Sequence, residues 1–154
     1  MCGLTGFYIS KSSPNSSHKL QSITKYFSSQ DYQNQSSLYF RGPDEQLIVC
    51  NENLVVNFRR LTIFSYKKLT SPYLSSCGKY STLMNGEIYS VKEKAFELNL
   101  PLDLLECDSQ ILAETYSCQG LTGFANLHGM FAGYIYDNID KSVVLVRDHF
   151  GQKP

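Results

Sequence analysis

Tryptophan is absent from this chain, and so is any imbalance of charge. Fourteen Lys and Arg side chains stand against fourteen Asp and Glu. Without a basic excess there is no long-range field to gather polyanions, which argues against nucleic-acid and membrane partners. The basic pairs Arg59-Arg60 and Lys67-Lys68 are too short to change that. No apolar run is long enough to span a bilayer, and no charged-then-apolar leader is present. The five cysteines (Cys2, Cys50, Cys77, Cys107 and Cys118) are odd in number and include no C-x-x-C pair. That disfavours a disulfide framework or a zinc knuckle, and points to reduced thiols in a cytoplasmic protein. Nothing local joins His18, His128 or His149 to a cysteine as a catalytic dyad. The glycine-containing segments fit neither a Walker A loop nor a dinucleotide fingerprint.

What remains is an ordinary globular composition: 154 residues, 42% hydrophobic and 18% charged, suited to a single core. The segment 2–9 reads as a buried strand. Residues 10–37 are rich in Ser, Gln and Asn, but Leu20, Ile23, Tyr26 and Phe27 fall at helical spacing. Arg41-Gly42-Pro43-Asp44 is a turn. The apolar runs 47–50 and 54–58, parted by Asn51-Glu52-Asn53, predict a hairpin. Residues 66–80 read as an exposed loop, and 81–85 as a strand running into Asn85-Gly86. A helix is expected over 93–98, and another over 109–119 with Asp108 as its N-cap and Gly120 at its end. Strands over 131–136 and 143–147 flank an Asp137–Lys141 turn. Strands with helices between them indicate an α+β fold.

Cys2 directly follows the initiator methionine, and its small side chain permits methionine removal. The product carries a thiol and a free α-amine on one residue, with ordinary pKa values of about 8.5 and about 7.7–8.0. The amine can accept the thiol proton and later return one to a leaving group, so one residue supplies nucleophile and base. A small residue at position 2 is common, however, so this reading needs support elsewhere.

That support comes from separated motifs. Met1-Cys2-Gly3-Leu4-Thr5-Gly6 resembles the start of asparagine synthetases and related class II glutamine amidotransferases. Arg41-Gly42-Pro43-Asp44 is similar to their RGPD turn, with Phe40 where histidine is usual. Arg60-Leu61-Thr62-Ile63 resembles RLSI. Asn85-Gly86-Glu87-Ile88-Tyr89 resembles the NGEIYN box, with Ser90 in its last place. Leu127-His128-Gly129-Met130-Phe131-Ala132 is similar to LxGMFA, and the segment from Arg147 to Pro154 to RDxxGxKPL, ending before its leucine. The boxes follow the family's order along the chain.

The resemblance implies a four-layer αββα Ntn-hydrolase sandwich, with two antiparallel sheets flanked by helices. Residues 1–154 are then expected to be a glutaminase domain incomplete at its C-terminus, with the ATP-binding synthetase domain and its SGGxDS-type loop absent. It implies that Cys2 attacks L-glutamine, and that Asn85 and Gly86 donate to the oxyanion. Arg60 is expected to hold the substrate carboxylate, with Leu61, Thr62, Ile63 and Phe64 lining the pocket. Glu87 and Asp108 would hold the substrate amino group. Around Asp108 the family's Glu is replaced by Gln110, which leaves a plain N-cap role open. Arg41 and Asp44 are assigned to loop scaffolding.

No cofactor is expected in this domain; ATP and Mg belong to the synthetase domain. That domain is the expected partner, in cis or in trans, and a homodimer is left open. The ammonia would serve asparagine formation from aspartate. Another acceptor, such as a sugar carboxylate in polysaccharide synthesis, and a non-catalytic remnant acting as a binding module are the alternatives.

Overall fold

The computed structural model describes residues 2–10, 12–62, 71–105 and 107–153. The chain divides into two compact units, Met1–Ser71 and Pro72–Pro154. Each carries a hydrophobic cluster.

The first unit holds β1 (Gly3–Tyr8), α1 (Ser16–Phe27), α2 (Gln30–Gln35), α3 (Ser37–Arg41), β2 (Glu45–Cys50) and β3 (Leu54–Arg60). Its antiparallel sheet has the order β1-β3-β2. The predicted hairpin is β2–β3, closed by Asn51 N–H donating to Leu54 O at 2.8 Å. In α1 the stripe Leu20, Ile23 and Phe27 packs on Val55 and Ile48. Leu20 and Phe27 are each 2% exposed, so each contributes about 1.5–3 kcal/mol of apolar burial. The serines around α1 do more than solvate a linker. Ser29 Oγ accepts Tyr32 N–H at 3.2 Å and Ser36 Oγ accepts Leu38 N–H at 3.2 Å, capping α2 and α3. Those two short helices carry no periodic apolar signal and were not expected. Strand β1 departs from its buried reading: it is an edge strand, and Phe7 and Tyr8 are half exposed. Continuous apolarity alone does not separate an edge strand from a central one.

The second unit holds β4 (Tyr73–Leu74), β5 (Tyr80–Ile88), α4 (Val91–Glu97), α5 (Gln110–Gln119), β6 (Gly129–Asp137) and β7 (Val143–Arg147), with 3-10 turns at Leu102–Leu104 and Gly120–Asn126. The antiparallel sheet order is β4-β5-β6-β7. Met84, Ile88, Phe131 and Ile135 on the sheet pack with Ala95 of α4 and Ile111 and Leu112 of α5. The seam between the helices also buries Lys94. Its ammonium donates to both Glu97 carboxylate oxygens, at 3.2 and 3.1 Å, and to Gln119 Oε1 at 2.9 Å, so the buried charge is satisfied.

The expected loop 66–80 is partly corrected. Residues 66–70 lie outside the described residues, but Tyr73–Leu74 pairs with β5 and Ser75 is buried. A two-residue strand gives too short a pattern to read. Strand β5 continues through Asn85-Gly86 to Ile88, so that dipeptide is strand and not a turn. Asp108 is not the N-cap of α5; Ser109 stands there, and makes no side-chain cap bond. The α+β class, with two antiparallel sheets and their helices, is as expected. Among the described residues, no helix is long and apolar enough to cross a membrane.

After β7 the chain folds around Asp148. Its carboxylate accepts backbone N–H bonds from Phe131 (3.2 Å), Phe150 (3.1 Å), Gln152 (3.0 Å) and Lys153 (3.3 Å). The Arg147 guanidinium reaches Lys153 O and Gly151 O, each at 2.6 Å. Burial pushes the Asp148 carboxyl up, but the four N–H donors together outweigh it and hold the group below its ordinary 3.8. A depressed folded value means that the stabilisation is present above the ordinary aspartate range. It is lost as pH falls through the lower folded value. Denaturant midpoints measured against pH should therefore drop in acid, and Asp148→Asn should flatten that limb. An unchanged limb in the variant would show that the carboxylate does not fasten this loop.

Candidate functional site

Strand alternation fixes which face each candidate occupies. In β3, Val55 packs on α1, Asn57 Nδ2 donates to Tyr32 Oη at 3.2 Å, and the Arg59 guanidinium lies 5.1 Å over the Tyr39 ring. These odd positions face the unit's helices, so Arg60 faces the other way. A Cβ on Gly3 would strike Leu38 of α3, so Gly3 is on the helix side and Cys2 on the opposite one. In β2, Ile48 joins the α1 cluster, which puts Glu45 on the same face as Arg60.

The register then lines these residues up. Glu45 is opposite Arg60, and Gly3 is opposite Arg59, so one step further places Cys2 across from Arg60. Arg60 Nη1 donates to Glu45 Oε2 at 3.1 Å, with the two side chains only 16% and 20% exposed. The guanidinium expected to grip a carboxylate is therefore held on one edge by an internal acid. It is not a solvated charge at a strand end. Glu45 was missed in the sequence, although counting outward from the hairpin turn pairs it with Arg60. Cys2 is half-buried, and its thiol lies 4.0 Å from Leu61 O.

The RGPD turn supports this strand end. Asp44 N–H donates to Arg60 O at 3.2 Å, and Asp44 Oδ2 accepts Thr62 N–H at 2.7 Å. Gly42 sits where a Cβ would collide with the backbone of Arg59 and Arg60. Asp44 thus has the scaffolding contacts expected of it. Leu61 and Thr62 continue from β3, whereas Ile63, Phe64 and Met1 lie outside the described residues.

In the second unit the same alternation applies. Met84 and Ile88 pack under the helices, so Asn85 and Glu87 stand on the helix-free face of β5. Asn85 is 6% exposed, yet its carboxamide makes no hydrogen bond to another described residue. Gly86 has φ 134°, a conformation that favours glycine, and a Cβ there would run into Met130 O and Phe131 of β6. Glu87 is exposed. Asp108 approaches from the start of α5, and its Oδ2 accepts Ile88 N–H at 2.9 Å. Burial raises the Asp108 pKa above 3.8, bonds from Ile88 and Ser109 N–H oppose it, and the Glu87 charge raises it further. The Glu87 charge acting on the Asp108 carboxyl makes this a place suited to a cation. Gln110 is spent elsewhere: its Nε2 donates to Leu74 O at 3.3 Å. Among the described residues, no group of three or more His, Cys, Asp or Glu could hold a metal ion.

Cys2, Glu45 and Arg60 thus stand on the face of the first sheet turned away from its helices, and Asn85 and Glu87 on the corresponding face of the second, with Gly86 between them in the strand and Asp108 beside the strand end at the start of α5. Cys2 and Arg60 belong to the first unit; Asn85, Gly86, Glu87 and Asp108 belong to the second. Over residues 1–154 the chain matches the family described as the glutamine amidotransferase domain, and it belongs to that family.

Among individual relatives, asparagine synthetase (glutamine-hydrolyzing) 2 of Bacillus subtilis is 30% identical over 154 residues, all of this chain and 20% of that protein. Asparagine synthetase (glutamine-hydrolyzing) 2 of Arabidopsis thaliana is 30% identical over 117 residues, 76% of this chain and 20% of that protein. Asparagine synthetase B (glutamine-hydrolyzing) of Escherichia coli is 27% identical over 115 residues, 74% of this chain and 21% of that protein. The chain spans about a fifth of the length of these curated relatives.

The close approach at Gly86 gives a direct test. Gly86→Ala should force β5 from β6, costing ~1–3 kcal/mol from overpacking besides the strain of its positive φ. Thermal or urea melts would read this, and a variant as stable as the parent would mean that the strand pair yields there.

Proposed function

We propose that this chain hydrolyses glutamine to glutamate and ammonia, with Cys2 as an N-terminal nucleophile. The ammonia feeds ATP-dependent formation of asparagine from aspartate in a synthetase domain, in cis or in trans. The observation that carries this reading is the alignment of Cys2, Arg60 and Glu45 across β1, β3 and β2, on the helix-free face of a family member's sheet. A sulfur nucleophile one strand from a half-shielded guanidinium suits a substrate bearing an α-carboxylate and a reactive side-chain amide.

In the proposed reaction, removal of Met1 frees the Cys2 α-amine, which takes the thiol proton. The sulfur attacks the side-chain carbonyl carbon, and the oxyanion is received by Asn85 Nδ2 and the Gly86 N–H. Loss of one such donor typically costs about 10²–10³ in rate. The C–N bond breaks as the amine returns its proton to the departing ammonia, leaving a γ-glutamyl thioester. Water adds to the thioester, and glutamate leaves with the thiol restored. Arg60, kept on one edge by Glu45, holds the substrate carboxylate, beside a wall formed by Leu61, Thr62, Ile63 and Phe64. Glu87 and Asp108 hold its ammonium. ATP and Mg act in the synthetase domain, which also selects the acceptor, so a sugar carboxylate in place of aspartate would leave this half-reaction unchanged. The cytoplasm is the compartment proposed for it.

Cys2→Ala should abolish glutamate release without changing the melt. A glutamine-mimicking electrophile should leave a single adduct, on Cys2, in a chain that has lost Met1. A folded chain that takes no adduct would instead mark a non-catalytic remnant.

The Asp108 pair predicts a pH profile. Its raised pKa means that the carboxylate is protonated at a higher pH than an ordinary aspartate. The attraction for the substrate ammonium then fades as pH falls through that raised value. KM for glutamine should rise on acidification, and Asp108→Asn should give a higher but flatter KM. A variant that keeps the parent's pH slope would remove Asp108 from substrate binding.

A further inference from the structure

A group of side chains in the second unit, apart from the residues assigned above, gathers at the turn between β4 and β5. The turn is closed by Gly78 N–H donating to Ser75 O at 2.8 Å. Ser75 Oγ accepts Tyr80 N–H at 3.1 Å and shares a hydrogen bond with Cys77 Sγ, 3.2 Å away. From α5, Ser117 Oγ stands 3.3 Å from the same sulfur. One turn earlier on α5, Glu114 Oε1 accepts both Ser76 N–H and Ser76 Oγ–H at 2.6 Å.

Residues 114, 117 and 118 share one helix face by their i, i+3, i+4 spacing. Cys118 follows Ser117 directly and lies one turn after Glu114, near enough for the charges of Cys77 and Glu114 to act on its thiol. Both Cys77 and Cys118 are exposed thiols. From this arrangement of two thiols and two hydroxyls we infer that Cys77 is a peroxide-reactive modification site, with Cys118 as its resolving partner.

The chemistry balances with a hydroperoxide as oxidant. The Cys77 thiolate attacks the peroxide O–O bond and becomes a sulfenic acid, while the peroxide is reduced to water or an alcohol. The Cys118 thiol then attacks the Cys77 sulfur. An S–S bond forms, water leaves, and the β4–β5 turn is stitched to α5. The two thiols are tuned differently. Hydrogen bonds from Ser117 and Ser75 hold Cys77 below its ordinary value, against burial and the Glu114 charge. Burial, Glu114 and Cys77 push Cys118 up. Such a pair has the low-pKa thiolate as first attacker.

Cys50 is the internal control. It is exposed, and its thiol donates to its neighbour's carbonyl, Asn51 O, at 4.0 Å. The full chain, treated with dilute hydrogen peroxide at neutral pH and mapped by peptide mass spectrometry, should yield a Cys77–Cys118 linked peptide before Cys50 is oxidised. Thiol reductant should reverse the link. In Cys118→Ser the Cys77 sulfenic acid should persist and be captured by dimedone, and Ser117→Ala should slow Cys77 oxidation several-fold while leaving Cys50 unchanged. Oxidation of Cys50 as fast as Cys77 would overturn the inference. So would dimedone capture of Cys77 in the parent with no link to Cys118.

Discussion

A strand side chain can face only one side of its sheet, and a slip of one residue sends every neighbour to the other side. The register of β3 against β1 and β2 therefore decides whether Cys2, Arg60 and Glu45 meet at all. It is held on the helix side by Val55 against α1, by Asn57 between Tyr32 and Gln46, and by Arg59 over the Tyr39 ring. A buried polar side chain such as Asn57 tolerates no slip, because its partners would be lost at several kcal/mol of cost. The helices thus position residues on the opposite face of the sheet. In the second unit, Gly86 fixes β5 against β6 by the same logic, since its backbone approaches Met130 and Phe131 more closely than any side chain would allow.

The hairpin, α1, α4, α5, β6 and β7 were legible because each has a periodic apolar pattern or a clear turn. Helices α2 and α3 were not, since each is short and its start is fixed by a serine cap inside a serine-rich stretch where any serine looks alike. Strand β4 pairs only Tyr73 and Leu74, too few residues to show alternation. The site residues were named through motif resemblance, and their chemistry could be argued from residue type. Their support could not. The Glu45 partner required a register, and the Ile88 N–H on Asp108 required knowing that α5 begins beside the end of β5. Asp108 also shows the limit of a helix-cap signal: its carboxylate accepts an N–H at a strand end instead.

Two of the departures from the family pattern have different physical surroundings. Phe40 replaces the usual histidine, and its ring is 78% exposed, edge-on to Tyr39 at 5.6 Å. Tyr39 in turn lies under the Arg59 guanidinium, so Phe40 belongs to the helical layer that backs the sheet. Gln110 replaces a glutamate at the first turn of α5, and bonds the carbonyl of Leu74. An ionised glutamate could not donate there and would repel Asp108, whose carboxyl already sits above its ordinary value because of burial and Glu87. Replacing it by a neutral amide therefore eases the charge load on Asp108 while tying α5 to the edge of the sheet. Both changes leave the residue types of Cys2, Arg60, Asn85, Gly86 and Glu87 intact, so the proposed hydrolysis asks of neither position anything that the substituted side chain fails to supply.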